Sequence, residues 1–142
     1  NTLTGNTATN NDDYGIYLTN STGNTIYNNY FDNDRNAYDD GTNAWNSTRT
    51  YGKYNIIGER VIGGNYWGDY RGADADRNEI GDTPYEIPGG ANRDYLPLVE
   101  EQPFISPTPV GLFPIPGGPV GMLFATLLLA IRSVRREKRK SR

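Results

Sequence analysis

Asn1-Thr2-Leu3-Thr4-Gly5-Asn6 recurs as Asn24-Thr25-Ile26-Tyr27-Asn28-Asn29, an offset of 23 residues, and no other feature restricts the fold as much. A period of that length is too short for a pair of packed helices. Gly15-Ile16-Tyr17-Leu18 supplies a second apolar pulse inside it, and Asn and Gly separate the pulses. β-branched and aromatic pulses between turn residues predict short strands, and a fixed period of strands predicts one coil of a parallel β-solenoid. Leu3, Ile16, Leu18 and Ile26 then point inward, while Asn6 and Asn29 stack at a turn and bond the backbone of neighbouring coils. The competing reading is an antiparallel β domain with Asn-rich turns. Because the repeat starts at residue 1 without a cap, further coils ahead of it, or self-association through the first coil, are expected.

The chain contains no His and no Cys. That excludes ordinary zinc, haem and blue-copper sites, Cys or Ser-His nucleophiles and an imidazole proton shuttle, so any metal must be hard and oxygen-bound. The net charge of -3 conceals a split. Residues 132–142 carry seven Lys or Arg against Glu137, whereas residues 110–131 carry no charge and everything earlier is acidic. An uncharged stretch ending in Arg and Lys reads as a membrane segment with its cytoplasmic anchor, ahead of a nucleic-acid contact.

Composition therefore divides the chain into last coils of a solenoid (1–62), a cap with an acidic loop (63–99), a Pro-rich linker (100–119), a hydrophobic helix (120–134) and a basic tail (135–142). Four strings stand out in order. They are Tyr38-Asp39-Asp40-Gly41-Thr42-Asn43-Ala44-Trp45-Asn46, Gly63-Gly64-Asn65-Tyr66-Trp67-Gly68-Asp69-Tyr70, Gly81-Asp82-Thr83-Pro84-Tyr85 and Asp94-Tyr95-Leu96-Pro97-Leu98. Together they resemble the C-terminal end of NosD-like right-handed parallel β-helix proteins, over residues 1–99.

That resemblance implies an all-β fold, a cell-surface setting common in archaea, and kinship with carbohydrate-binding and sugar-hydrolase solenoids. It also carries a copper association, which this chain does not support, since copper delivery uses His, Cys or clustered Met and only Met122 exists. Where family members show Asp-x-Asp-Gly-Asp-Gly-Ile-Gly-Asp, this chain has Asp74-Ala75-Asp76-Arg77-Asn78-Glu79-Ile80-Gly81-Asp82. Asp74, Asp76, Asn78, the Ile80 carbonyl and Asp82 are the candidate ligands of a calcium ion. Both internal glycines are replaced, by Arg77 and Glu79, and the alternative is an acidic turn held by side-chain-to-backbone bonds.

Tyr66, Trp67 and Tyr70 have two readings, a platform for sugar rings or, with Trp45 and Tyr85, the bulky cover a solenoid end needs; the cover is favoured. Asn20-Ser21-Thr22 and Asn46-Ser47-Thr48 are N-glycosylation sequons, no more than an Asn-rich chain contains by chance. Pro114-Ile115-Pro116, the apolar run and the basic end resemble the tripartite sorting signal of archaeal surface proteins. Twelve residues of helix from Val120 span about 18 Å, short of a hydrocarbon core near 30 Å unless flanking Arg side chains snorkel. The expectation is a non-enzymatic surface domain, structural or glycan-contacting, anchored by its C-terminal segment with the C-terminus cytoplasmic. The alternative is the end of a β-helix lyase or hydrolase acting on polysaccharide.

Overall fold

The computed structural model describes residues 1–103. The expected helix over 120–134, the sorting motif Pro114, Ile115 and Pro116, the basic tail and most of the linker lie outside the described residues. Among the described residues there is no helix, and so none long and apolar enough to cross a membrane.

The first coil consists of β1 (Thr2–Leu3), β2 (Thr7–Thr9) and β3 (Tyr14–Leu18), and the second of β4 (Thr22–Ile26), β5 (Tyr30–Asp32) and β6 (Arg35–Asp39). The third begins with β7 (Thr42–Ala44) and, after an excursion, resumes at β10 (Tyr66–Trp67). Coil stacks on coil in three parallel sheets, ordered β1-β4-β7, β2-β5-β10 and β3-β6. The parallel pairing selects the solenoid over the antiparallel alternative for residues 1–44. Leu98 then bridges Tyr66 in parallel and so starts a fourth layer. Coils therefore continue to Trp67, inside the segment that composition assigns to the cap.

The period of 23 is not uniform. Ladder partners lie 23 and 22 residues apart between the first and second coils, but 19 apart between Asn24 and Asn43 and 36 apart between Asn29 and Asn65. The longer step is the excursion, whose β8 (Thr50–Tyr51) and β9 (Val61–Ile62) pair antiparallel. Asn55 folds its turn by accepting from the Ile57 and Glu59 amides and donating to the Val61 carbonyl, and the Ile56 amide docks on Asn28 Oδ1 at 2.7 Å. Asn10, Asn20 and Asn28 hold left-handed φ values of 55°, 48° and 55°, a region that Asn tolerates better than other side-chain-bearing residues.

Inside the coils, Ile26, Phe31, Ala37, Trp45, Trp67 and Ile87 form one buried cluster, with Leu3, Ile16 and Leu18 packed against it as the repeat predicts. A second cluster of Ile57, Val61, Ile80 and Leu98 joins the excursion to the C-terminal segment. The last strands, β11 (Tyr85–Glu86) and β12 (Arg93–Asp94), form a small antiparallel pair.

Candidate functional site

The repeated amides form three ladders. In the first, Asn6 donates from its backbone N and its Nδ2 to Asn29 Oδ1 at 3.0 and 2.9 Å, and Asn29 does the same to Asn65 Oδ1 at 3.2 and 2.9 Å. In the second, Asn1 Nδ2 donates to Asn24 Oδ1, and Asn24 donates from N and Nδ2 to Asn43 Oδ1. In the third, Asn11 donates to Asn33 Oδ1 of the second coil, and Asn33 then donates within that coil to Asn36 Oδ1. The stacking expected of Asn6 and Asn29 is thus one of three parallel lines.

Each line meets a carboxylate that also holds an aromatic donor, and the second in addition runs on from Asn43 N to Asn92 Oδ1 at 3.2 Å. Asp94 Oδ2 accepts from Asn65 N (2.6 Å) and Trp67 Nε1 (2.9 Å), while its Oδ1 accepts from Leu96 N. Asp39 accepts from Asn43 Nδ2 with both oxygens and from Trp45 Nε1 at 2.8 Å. Asp69 accepts from Asn36 Nδ2 at 2.7 Å and from the Tyr85 hydroxyl at 3.1 Å. A carboxylate has only acceptors, so it closes a chain of amide donors that another Asn would extend. Asp39 and Asp94 are fully buried, and their N–H donors replace the lost water. Burial still raises the Asp94 carboxyl to about 6, against the lowering by its N–H donors. Gly64 makes the approach possible, because a Cβ there would fall 1.8 Å from Asp94 Oδ1.

Of the rings considered as a sugar platform, Trp67 is buried and Tyr66 and Tyr70 are half-buried. Trp67 is buried between Phe31, stacked at 5.0 Å between centroids, and Tyr85, stacked at 4.1 Å. Tyr66 stacks on Tyr30 at 4.4 Å, and the Tyr70 hydroxyl donates to the Thr83 carbonyl at 2.6 Å. Burial pushes the Tyr66 hydroxyl up to about 12 and the Tyr85 hydroxyl higher still. The surface rings are instead Tyr17, Tyr51, Tyr54 and Tyr95.

In the acidic loop, Asp74, Asp76 and Asp82 bring carboxylate oxygens within 4.8 Å of one another. Their turn is held from inside. Asp74 accepts from the Asn78 and Glu79 amides, Asp82 from the Ala75 amide, and Asp76 from Asn78 Nδ2. Asn78 Oδ1 is occupied by Arg49 at 2.6 Å and by the Ile80 amide, and Ile80 is buried. The five candidate ligands therefore supply three carboxylates and no free Asn oxygen. Arg77 and Glu79, standing where the family has Gly, keep the positive φ that glycine would take, 56° and 68°.

Asn20 is exposed, with its Nδ2 held only by Thr19 Oγ1 at 3.5 Å, whereas Asn46 is half-buried and accepts from the Tyr95 amide. The Asp13–Arg35 pair is an exposed salt bridge of 3.1 Å. The carboxylate ends are what sequence reasoning left out. A signal for two of them exists, since Asn43-Ala44-Trp45 and Asn65-Tyr66-Trp67 repeat an Asn-x-Trp pattern, each placing a terminal ladder amide two residues before the indole that shares its carboxylate.

Stacked parallel coils joined by amide ladders define a parallel β-solenoid. Residues 1–72 match the family described as periplasmic copper-binding protein (NosD), and the chain belongs to that family. No curated protein and no solved structure matches it. The copper of the family description does not fit the residues present. The metal-donor groups of the described side chains are amide, hydroxyl and carboxylate oxygens, the chain offers no imidazole or thiol, and its single Met lies outside the described residues.

Proposed function

We propose that residues 1–99 are the end-domain of an extracellular parallel β-helix protein, structural and not catalytic, tethered to a membrane by the segment that follows. The supporting observation is how the acids are used. Asp39, Asp69 and Asp94 are engaged by the scaffold's own donors, where a hydrolase or lyase keeps carboxylates facing its substrate. The family's description as periplasmic supports a place outside the cytoplasmic membrane. The uncharged residues 110–131, followed by seven Lys or Arg, support the tether and a cytoplasmic C-terminus. Protease added to intact cells should destroy an epitope in residues 1–99 and spare a tag after Arg142. A tag digested from outside would overturn this topology, and loss of polysaccharide cleavage on Asp69→Ala would overturn the structural reading.

Contact with surface glycans is the second part of the reading, favoured by exposed rings on the excursion. Tyr51 and Tyr54 are 65% and 68% exposed, with the guanidinium groups of Arg49 and Arg60 lying 5.5 and 5.3 Å from the ring centroids. Replacing both tyrosines by Ala should lower retention on immobilised acidic polysaccharide more than Tyr70→Ala does. The acidic loop is the place for calcium, and Asn20 the better-placed glycan acceptor.

A further inference from the structure

The excursion reverses the local charge. Residues 46–62 carry Arg49, Lys53 and Arg60 against Glu59 alone, whereas the coils before them and the segment that follows, up to residue 103, are both acidic. Beside the excursion lies a shallow groove of about 300 Å³, lined by Tyr27, Ser47, Thr48, Thr50, Lys53 and Ile62. Its walls are of three kinds. Tyr27 and Ile62, both half-buried, supply apolar surface, Ser47, Thr48 and Thr50 supply hydroxyls, and Lys53 supplies the charge. No carboxylate lines it. Ser47 Oγ donates to the Gly63 carbonyl and Thr50 Oγ1 to the Thr48 carbonyl, so both oxygens keep their acceptor capacity. Lys53 is exposed, and among the described residues neither its ammonium nor the Thr48 hydroxyl has a partner. Arg49, between two of the lining residues, reaches instead to Asn78 and lies over the Tyr51 ring. Another concavity, of about 410 Å³, has the opposite character, with Asp12, Asp32 and Asp34 among amides.

We infer that this groove is a subsite for one anionic sugar ring, a pyranose bearing a carboxylate or sulfate group, with Lys53 as the partner of its charge. A pyranose has an apolar C–H face and hydroxyls around its edge, which match the Tyr27 and Ile62 surface and the three hydroxyls beside it. The volume stands at the lower limit of ligand sites and admits one ring. Lys53 is a compact charge on a flexible stem and can follow the anionic group around the ring. A neutral sugar would leave that ammonium unused. On a body otherwise acidic, this segment is also where a polyanion is steered. A nucleic-acid strand fits less well, because it calls for a row of cations along its phosphates and the groove holds one.

The inference rests on the glycan contact proposed above and adds the charge and size of what is held. Its test titrates the purified, isotope-labelled full chain with trigalacturonate, its methyl ester, a sulfated trisaccharide and single-stranded DNA of the same charge. The main-chain amide signals of Ser47, Thr48, Thr50 and Ile62 should shift with the acid or the sulfated sugar, and the ester should bind about threefold more weakly than the acid. Lys53→Gln should bind acid and ester alike, whereas Lys53→Arg should keep the preference. Arg71→Gln, which removes an exposed cation that does not line the groove, should keep it too. A preference that survives Lys53→Gln, or is lost equally with Arg71→Gln, would overturn the groove and leave glycan contact through Tyr51 and Tyr54 standing. Binding of neither the acid nor the sulfated sugar would overturn both. Larger shifts of the same four amides with DNA would overturn the sugar as the occupant.

Discussion

The first coil and the last are built from the same amides and differ in what surrounds them. Asn1 and Asn11 hold their partners in water and Asn6 holds Asn29 half-buried, whereas Asn65 and Asp94 hold theirs with no exposure at all. In water a broken amide bond is replaced by solvent at little cost, but in the interior each orphaned donor carries its full desolvation penalty. The same ladder should therefore grade from nearly neutral at its open end to decisive at its closed end.

The strongest way to break that gradient is at its closed end. Asp94→Ala strands the Asn65 amide, Trp67 Nε1 and the Leu96 amide in one move, and should cost about 3–5 kcal/mol or prevent folding. Chemical denaturation, with Asp13→Ala as the exposed-acid control, measures it. A loss under about 1 kcal/mol would mean that water reaches the closure and that the two ends are alike.

Within one ladder the comparison becomes sharper. Asn65→Ala removes donors to the Ile26 and Trp45 carbonyls and the acceptor of Asn29, all buried, and should cost about 2–4 kcal/mol. Asn6→Ala removes an exposed bond to Thr4 and a half-buried one to Asn29, whose Oδ1 keeps the Asn6 main-chain N–H, and should cost roughly 0.5–1 kcal/mol. Equal losses would contradict burial as the source of the difference.

Much of this arrangement is legible in the sequence, and what is not has a physical reason. The coil is visible because Leu3 and Ile26, or Asn6 and Asn29, recur at one spacing. The third coil is hidden because the excursion lengthens the step from Asn29 to Asn65, and an insertion displaces a repeat without weakening its contacts. The burial of Trp45 and Trp67 is legible from bulk, since rings of that size have a surface to hide. Their polar function is not, because Asp39 and Asp94 lie far apart in the chain and read as turn residues. A buried carboxylate announces itself only through donors that the fold brings to it.

Acidity separates the two ends in a third way. Asp94, raised to about 6 by burial, favours the proton in the folded state relative to an unfolded value near 3.8. Its contribution to stability is therefore full below pH 3.8 and is lost as pH rises through about 6. Two pH units of difference amount to roughly 3 kcal/mol, about half of it present at pH 5. The stability of the native chain relative to Asp94→Asn should widen as pH falls from 7.5 to 5. A flat difference would mean that the N–H donors outweigh burial and keep the carboxylate charged throughout.

The smallest effect belongs to the acidic loop, where carboxylates again meet donors from the chain but at the surface. Asp74 and Asp82 are already bonded to loop amides, and Asn78 offers its oxygen to Arg49, so an arriving calcium ion finds three carboxylates beside a guanidinium. A site with so few ligands and a nearby cation belongs in the millimolar range. Mass action at 10 mM calcium then adds about 1 kcal/mol at most. The melting temperature should rise by a few degrees with calcium and not with equal ionic strength of sodium. Asp76→Ala should abolish the rise, whereas Arg49→Ala should enlarge it by freeing Asn78 Oδ1 and removing a positive charge. A rise that survives Asp76→Ala belongs to general screening of an acidic body, and the loop is then a turn held by its own hydrogen bonds, like the closed end of the ladders but without its burial.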